Sequence, residues 1–217
     1  MSNLRRALAI ELCCGVILLS GCRQLPVPVQ LPSPTHTSKP PTNEFAGLTD
    51  FGKVTPDIWR GAQPTTAGYR NLVEIGKVKS FLSLRRGANR DEVDLKTEKI
   101  AGAQCYQVSM KEWDPGEDNL QRLALALKTL KQLSSNPKTR PVYVHCKAGQ
   151  NRTGFVIATY RMVYQGWTPE EAVREMRVYG FYRVYSRDEW FLKNLDLPRL
   201  RKIITQTQAP IGRLTPN

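Results

Sequence analysis

The segment PVYVHCKAGQNRTGFVIATYRMVYQ, residues 141–165, constrains the fold of this chain more than any other. Its first five residues, Pro141 to His145, form a mostly apolar run that reads as a strand. A helical pattern begins near Arg152 and ends around Gln165-Gly166. Strand, tight loop and helix in that order are a building unit of α/β domains. The loop between them carries Cys146, Gly149 and Arg152, with Thr153 just after. A short loop seated on a helix N-terminus turns successive N–H groups inward and makes a nest for a tetrahedral anion. Gly149 relieves steric limits where that loop must bend sharply. A guanidinium at Arg152 can clamp two oxygens of the anion. The same positive surroundings lower a cysteine thiol from its free value of about 8.5, which makes Cys146 a candidate nucleophile.

The rest of the body repeats the α/β theme from Phe45 onward. Ile58 to Arg60 reads as a short extended piece. Thr65 or Thr66 then caps a helix reaching about Ile75. Strands are expected over Val78–Leu84 and Gln104–Met110, with a charged helix over Asp91–Ala101 between them. Leu120, Leu123, Ala124, Leu127 and Leu130 share one helical face. Thr168-Pro169-Glu170-Glu171 opens the next helix with a cap, a first-turn proline and acids suited to the dipole. One last helix is expected from Ser186 into the basic tail, with disorder after about residue 207. The expectation is a single α/β domain over residues 44–217, with a central, mostly parallel sheet flanked by helices.

The N-terminus is of another kind. Residues 1–21 hold Arg5 and Arg6, then a short apolar run from Leu12 to Leu19, too short to span a bilayer comfortably. Leu19-Ser20-Gly21-Cys22 resembles a bacterial lipobox, which implies cleavage of residues 1–21 as a lipoprotein signal peptide and lipid on Cys22. Glu11 departs from that pattern, since a charge there shortens the apolar core. Residues 22–43 form a Pro/Thr-rich linker suited to lifting a domain off a membrane. Arg23 stands where an Asp would resemble an inner-membrane retention signal, so the expected location is the cell envelope, as an outer-membrane lipoprotein facing the periplasm.

Cys-x-x-x-x-x-Arg-Thr after a hydrophobic strand resembles the protein tyrosine and dual-specificity phosphatases. IWRGAQPTTAGYRNLVEIGKVKSFLSLR resembles the opening segment of small bacterial and plant/fungal atypical dual-specificity phosphatases. RTGFVIATYRMVYQGWTPEEAVREM resembles the helices that follow the active-site loop in periplasmic bacterial tyrosine phosphatases. The resemblance implies a dual-specificity phosphatase-like fold and a phosphomonoester hydrolase working through a phosphocysteine on Cys146. Under it, Lys147, Ala148, Gly149, Gln150, Asn151 and Arg152 bind the phosphoryl group. Thr153 supports the sulfur and His145 orients the cysteine. The family's general acid is an Asp on a loop beyond another strand end. KEWDPGEDN follows Gln104–Met110 and so supplies Asp114, with Asp118 in reserve.

The chain carries 32 basic against 19 acidic residues, a net charge of +13, which favours anionic partners without choosing among them. Phosphotyrosine of proteins is the expected substrate, with some phosphoserine and phosphothreonine. Lys147-Ala148-Gly149 also resembles phosphoinositide phosphatases, but Gln150-Asn151 replaces their usual Lys-Gly, so inositol phosphates are the alternative. A catalytically silent phosphate-binding lipoprotein is the reading from another class. Nucleic acid is a poor fit to the compartment. No metal and no cofactor is expected, because no His/Cys cluster has zinc spacing. Arg85 and Arg86 read as exposed residues capping a strand, and Cys105 as a core residue rather than a partner for Cys146.

Overall fold

The computed structural model describes residues 45–87, 90–97, 100–111, 116–181 and 186–208. Five strands form one sheet: β1 (Gly52–Thr55), β2 (Ile58–Gly61), β3 (Ser80–Ser83), β4 (Gln104–Gln107) and β5 (Val142–His145), in the order β1-β2-β5-β3-β4. Among the described residues the β1–β2 pair is antiparallel and the other three pairings are parallel. The helices are α1 (Thr66–Arg70, continued by a π-helical turn over Asn71–Ile75), α2 (Arg90–Thr97), α3 (Glu117–Ser135), α4 (Asn151–Tyr164), α5 (Pro169–Val178), α6 (Ser186–Lys193) and α7 (Leu197–Gln206). Among the described residues, no helix is long and apolar enough to cross a membrane.

Strand periodicity sorts the core into two layers. Ile58, Leu82, Tyr106, Val142 and Val144 turn to one face of the sheet, where α3 to α7 contribute Leu123, Leu127, Val156, Val173, Leu192 and Leu200. Trp59, Phe81, Cys105 and Tyr143 turn to the other, against Tyr69, Leu72 and Leu95 from α1 and α2. Central parallel strands covered on both sides must be apolar on both sides, and β3 and β5 are buried at all four positions. Cys105 and Cys146 belong to these opposite layers, and no disulfide joins them.

Several element boundaries differ from the sequence reading. The strands expected over 78–84 and 104–110 are four residues each, because pairing stops where β5 ends. β1 was not anticipated: GKVT is short, opens on glycine and carries one lysine, so it lacks an apolar signature. The single terminal helix is two. Asp196 caps α7 by accepting from the Arg199 N–H at 2.9 Å, and Pro198 in its first turn cannot continue the helix before it.

Candidate active site

Parallel strands bring the chain's chemistry to one edge. At the carboxyl ends of β2, β5 and β3 the loops touch: Gln63 N–H donates to Lys147 O (3.1 Å) and Leu84 N–H to His145 O (2.8 Å). The loop after β5 must fold back tightly to reach α4. Gly149 accordingly has φ +76°, and a Cβ there would lie 2.5 Å from the Gly61 carbonyl carbon and 2.6 Å from Ala62 N. Cys146 sits buried at the base of this turn. Lys147 and Ala148 are exposed at its rim, and Gln150, Asn151 and Arg152 are half-buried.

The N-terminus of α4 is open. Gln150 occupies the cap position without a side-chain cap bond, and the first turn contains no acid. The Gln150 amide instead turns back to donate to Asp50 Oδ2 at 2.9 Å. The first-turn N–H groups and the dipole of α4 therefore favour negative charge at Cys146, which the Thr153 N–H reaches. Burial pushes the Cys146 thiol up, but the Thr153 hydroxyl and N–H, the Arg152 charge and the Gly149 N–H outweigh it. The net effect holds the thiol below its ordinary value. Among the described residues the buried Thr153 hydroxyl meets no partner at strict hydrogen-bond geometry, and the Cys146 sulfur is the group on which it acts.

His145 follows the parity of Tyr143 and so points to the opposite layer, where its ring stacks at 5.7 Å on the Tyr143 ring. There Nε2 donates to Asp91 Oδ2 at 2.8 Å, while Nδ1 donates to the Cys146 carbonyl at 3.1 Å. Both partners are acceptors, an arrangement that favours a proton on each ring nitrogen and hence the imidazolium form. Burial disfavours that charge, but Asp91 and the carbonyl outweigh it and raise the His145 pKa. Asp91 is likewise held below the usual carboxylate range: burial opposes this, and His145, Tyr69 and Gln63 overcome it. Asp91 Oδ1 accepts from Tyr69 Oη at 2.6 Å and from Gln63 Nε2 at 2.8 Å. Arg85 is half-buried and donates to Gln63 Oε1 at 3.1 Å, so it belongs to this network; Arg86 is exposed, as expected.

The structure thus brings together Cys146, Arg152, Thr153, His145 and the loop from Lys147 to Asn151. Asp114 and Cys22 lie outside the described residues, as does the tail after residue 208. Asp118, the reserve acid, stands exposed at the start of α3. The hydrogen bond from Arg122 Nε (3.0 Å), with the Arg122 and Lys111 charges, holds its carboxyl below the usual carboxylate range. Asp91, Gln63, Tyr69 and Arg60 were not singled out from the sequence. Arg60 carried one usable signal: it shares the parity of the core residue Ile58 within an otherwise buried strand. Among the described residues, no group of three or more His, Cys, Asp or Glu could hold a metal ion.

A thiolate under a ring of N–H groups and an arginine can attack the centre of a tetrahedral oxyanion and stabilise charge on its oxygens. Comparison with known proteins shows the family. A family model described as the tyrosine phosphatase family matches residues 47–210. The dual specificity protein phosphatase TpbA of Pseudomonas aeruginosa is 47% identical over 129 residues, covering 59% of this chain and 54% of that protein. The inositol diphosphatase SIW14 of Saccharomyces cerevisiae is 28% identical over 157 residues, covering 72% of this chain and 54% of its own. The chain therefore spans about half the length of these curated relatives. A crystal structure of P. aeruginosa TpbA shares the fold, with a TM-score of 0.60 at 24% identity, over 72% of this chain and 91% of that one.

Proposed function

Because the chain belongs to the tyrosine phosphatase family, we propose that it hydrolyses phosphomonoesters, with phosphotyrosine of proteins as its principal substrate and some phosphoserine and phosphothreonine. The observation that carries this reading is the buried Cys146, held below its ordinary thiol pKa at the open N-terminus of α4. In the first step the Cys146 sulfur attacks phosphorus in line; the S–P bond forms as the P–O bond to the leaving group breaks. Arg152 and the loop N–H groups take the charge on the equatorial oxygens. Asp114 is the proposed donor of the proton to the leaving oxygen. In the second step water, giving its proton back to that carboxylate, attacks phosphorus; S–P breaks and inorganic phosphate departs. Thr153 donates to the sulfur and eases its departure. His145, fixed by Asp91, positions the Cys146 carbonyl and places a positive charge behind the thiolate.

Inositol phosphates form the second reading, because a relative at 28% identity is named an inositol diphosphatase. Against it stands Gln150. Its amide is engaged by Asp50, so no cation at that position meets a multiply phosphorylated ring. The lipid on Cys22 and the envelope location are retained as part of the proposal on the lipobox resemblance, and mass spectrometry of the N-terminal peptide tests them.

The experiment is phosphate release by the full chain in EDTA, from phosphotyrosine and phosphothreonine peptides and an inositol polyphosphate. Turnover on phosphotyrosine that Cys146→Ser abolishes is expected. Preference for the inositol substrate would replace the first reading with the second. Phosphate binding without turnover on any of them would leave a silent binding protein.

A further inference from the structure

Arg60 lies in the middle of β2 with no exposed surface. Its side chain runs on the α4/α5 side of the sheet, beneath the loop that follows β5. Nη2 donates to the Gly149 carbonyl at 2.9 Å, and the guanidinium lies 4.0 Å over the Tyr179 ring. Among the described residues, Nε and Nη1 have no hydrogen-bond partner. Burying a cation with two unanswered donors is unfavourable, and an apolar side chain would fill the same space without that penalty. The position therefore serves something other than core packing.

Peptide geometry shows what. In a trans peptide the carbonyl and the N–H of the same unit point in opposite directions. The Gly149 carbonyl points down to Arg60, so the N–H of that unit, which belongs to Gln150, points up toward the open side of the loop. Gln150 is the cap residue of α4, and its N–H is among the donors an oxyanion meets at a helix N-terminus. The loop is also wedged sideways, with Gly149 packed on the backbone of Gly61 and Ala62, so a pull on its carbonyl sets its orientation.

We propose that Arg60 is a positioning residue of the phosphate loop: it holds the Gly149 carbonyl from beneath, turns the Gln150 N–H toward the bound phosphoryl group, and adds buried positive charge under the Cys146 sulfur. The proposal rests on the phosphate-binding reading of the loop given above. The charged and titratable groups around Arg60 are Glu175 on α5, Tyr179 at its end, Asp50 ahead of β1 and Cys146 itself. Burial lowers the guanidinium pKa from its ordinary value, and all four of these groups act the other way. Cys146 is faced in addition by Arg152 on α4, by its neighbour His145, and by Tyr143 on β5.

The test compares Arg60→Met and Arg60→Lys with wild type in the full chain. Affinity for inorganic phosphate is read by calorimetry. The pH dependence of Cys146 alkylation by iodoacetamide is read with Cys146→Ser as the blank. Arg60→Met is expected to weaken phosphate about tenfold, ~1.4 kcal/mol, and to move the alkylation midpoint to higher pH. Arg60→Lys should recover most of both, because it returns the charge and one donor. A folded Arg60→Met with unchanged affinity and midpoint overturns the proposal, as does an Arg60→Lys no better than Arg60→Met. Should Arg60→Met fail to fold, the wild type decides: the Gln150 amide resonance must move on saturation with phosphate, and a stationary one overturns the assignment. None of these readouts needs turnover. A protein that binds phosphate but cleaves no ester defeats the enzymatic reading and leaves the role of Arg60 standing.

Discussion

The two ends of α4 handle buried polar groups in opposite ways. At its C-terminal end every donor is answered. Arg161 is buried and reaches Glu175 through Nε (3.0 Å) and Nη2 (2.6 Å), and Val54 O (3.1 Å) and Gln165 Oε1 (2.7 Å) through Nη1. Its guanidinium also stacks 4.3 Å over Trp167. The next helix, α5, opens with a closed capping box in which Thr168 and Glu171 serve each other's N–H groups. At the N-terminal end the same devices are left incomplete. Arg60 stacks on Tyr179 in the same manner, yet two of its donor nitrogens are unanswered, and α4 begins without a side-chain cap or an acid. A buried arginine stacked on an aromatic ring thus makes a closed joint at one end of the helix and a receptive surface at the other. What separates them is whether the protein supplies the acceptors itself.

Breaking the closed end should have the largest effect on stability. Arg161→Met leaves Glu175 buried without its partner and is expected to cost about 3–5 kcal/mol in urea unfolding. Replacing both, as Arg161→Met with Glu175→Leu, should restore most of that loss, since a buried pair exchanged for apolar groups is often nearly neutral. A double variant as unstable as the single one would mean that the bonds to Val54 and Gln165, rather than the ion pair, hold this end together.

The contrast also explains how much of the site could be read from the sequence. Cys146, Gly149, Arg152 and Thr153 are legible because one strand–loop–helix unit delivers them all, so local geometry suffices. Asp91, Tyr69, Gln63 and Arg60 come from three further elements, and only the parallel order of β2, β5 and β3 brings them to the same edge. Asp91 lies in a helix that the sequence marks only as charged, yet it is fully buried on His145. The fold class was legible because apolar runs alternate with helical patterns. The split between α6 and α7 was encoded in Asp196 and Pro198 but masked by the apolar residues on either side.

A second buried pair lies behind the loop and allows a finer comparison. Asp91→Asn should reduce stability by about 2 kcal/mol near pH 6, the scale of a charge-assisted hydrogen bond. Asp91 is held below its ordinary value, so its share is present above about pH 4 and is lost as pH falls through its folded pKa. His145 is held above its ordinary value, so its share is full below about pH 6.5 and is lost as pH rises through its folded pKa. The difference between wild type and Asp91→Asn, followed by urea unfolding, should therefore peak between those limits and shrink on both sides. A difference that stays level from pH 4 to 9 would show a neutral hydrogen bond here, unlike the ion pair at the far end of α4.

The smallest effect is the most diagnostic, because stability and function should move in opposite directions. Asn151→Asp places a carboxylate in the first turn of α4, where an acid stabilises a helix by about 0.3–1 kcal/mol through the dipole. The melting temperature should rise by about 0.6–4 °C, on the usual scaling of about 2–4 °C per kcal/mol for a chain of this size. The same charge repels an oxyanion, so phosphate affinity and kcat/KM should fall several-fold, and raised salt should recover part of the loss. Thr168→Ala at the capped end supplies the control, with about 1 kcal/mol lost and no change in phosphate affinity. If Asn151→Asp stabilised the fold and left phosphate affinity intact, the open N-terminus of α4 would not be what receives the anion. The incomplete polar groups at that end would then be only unsatisfied.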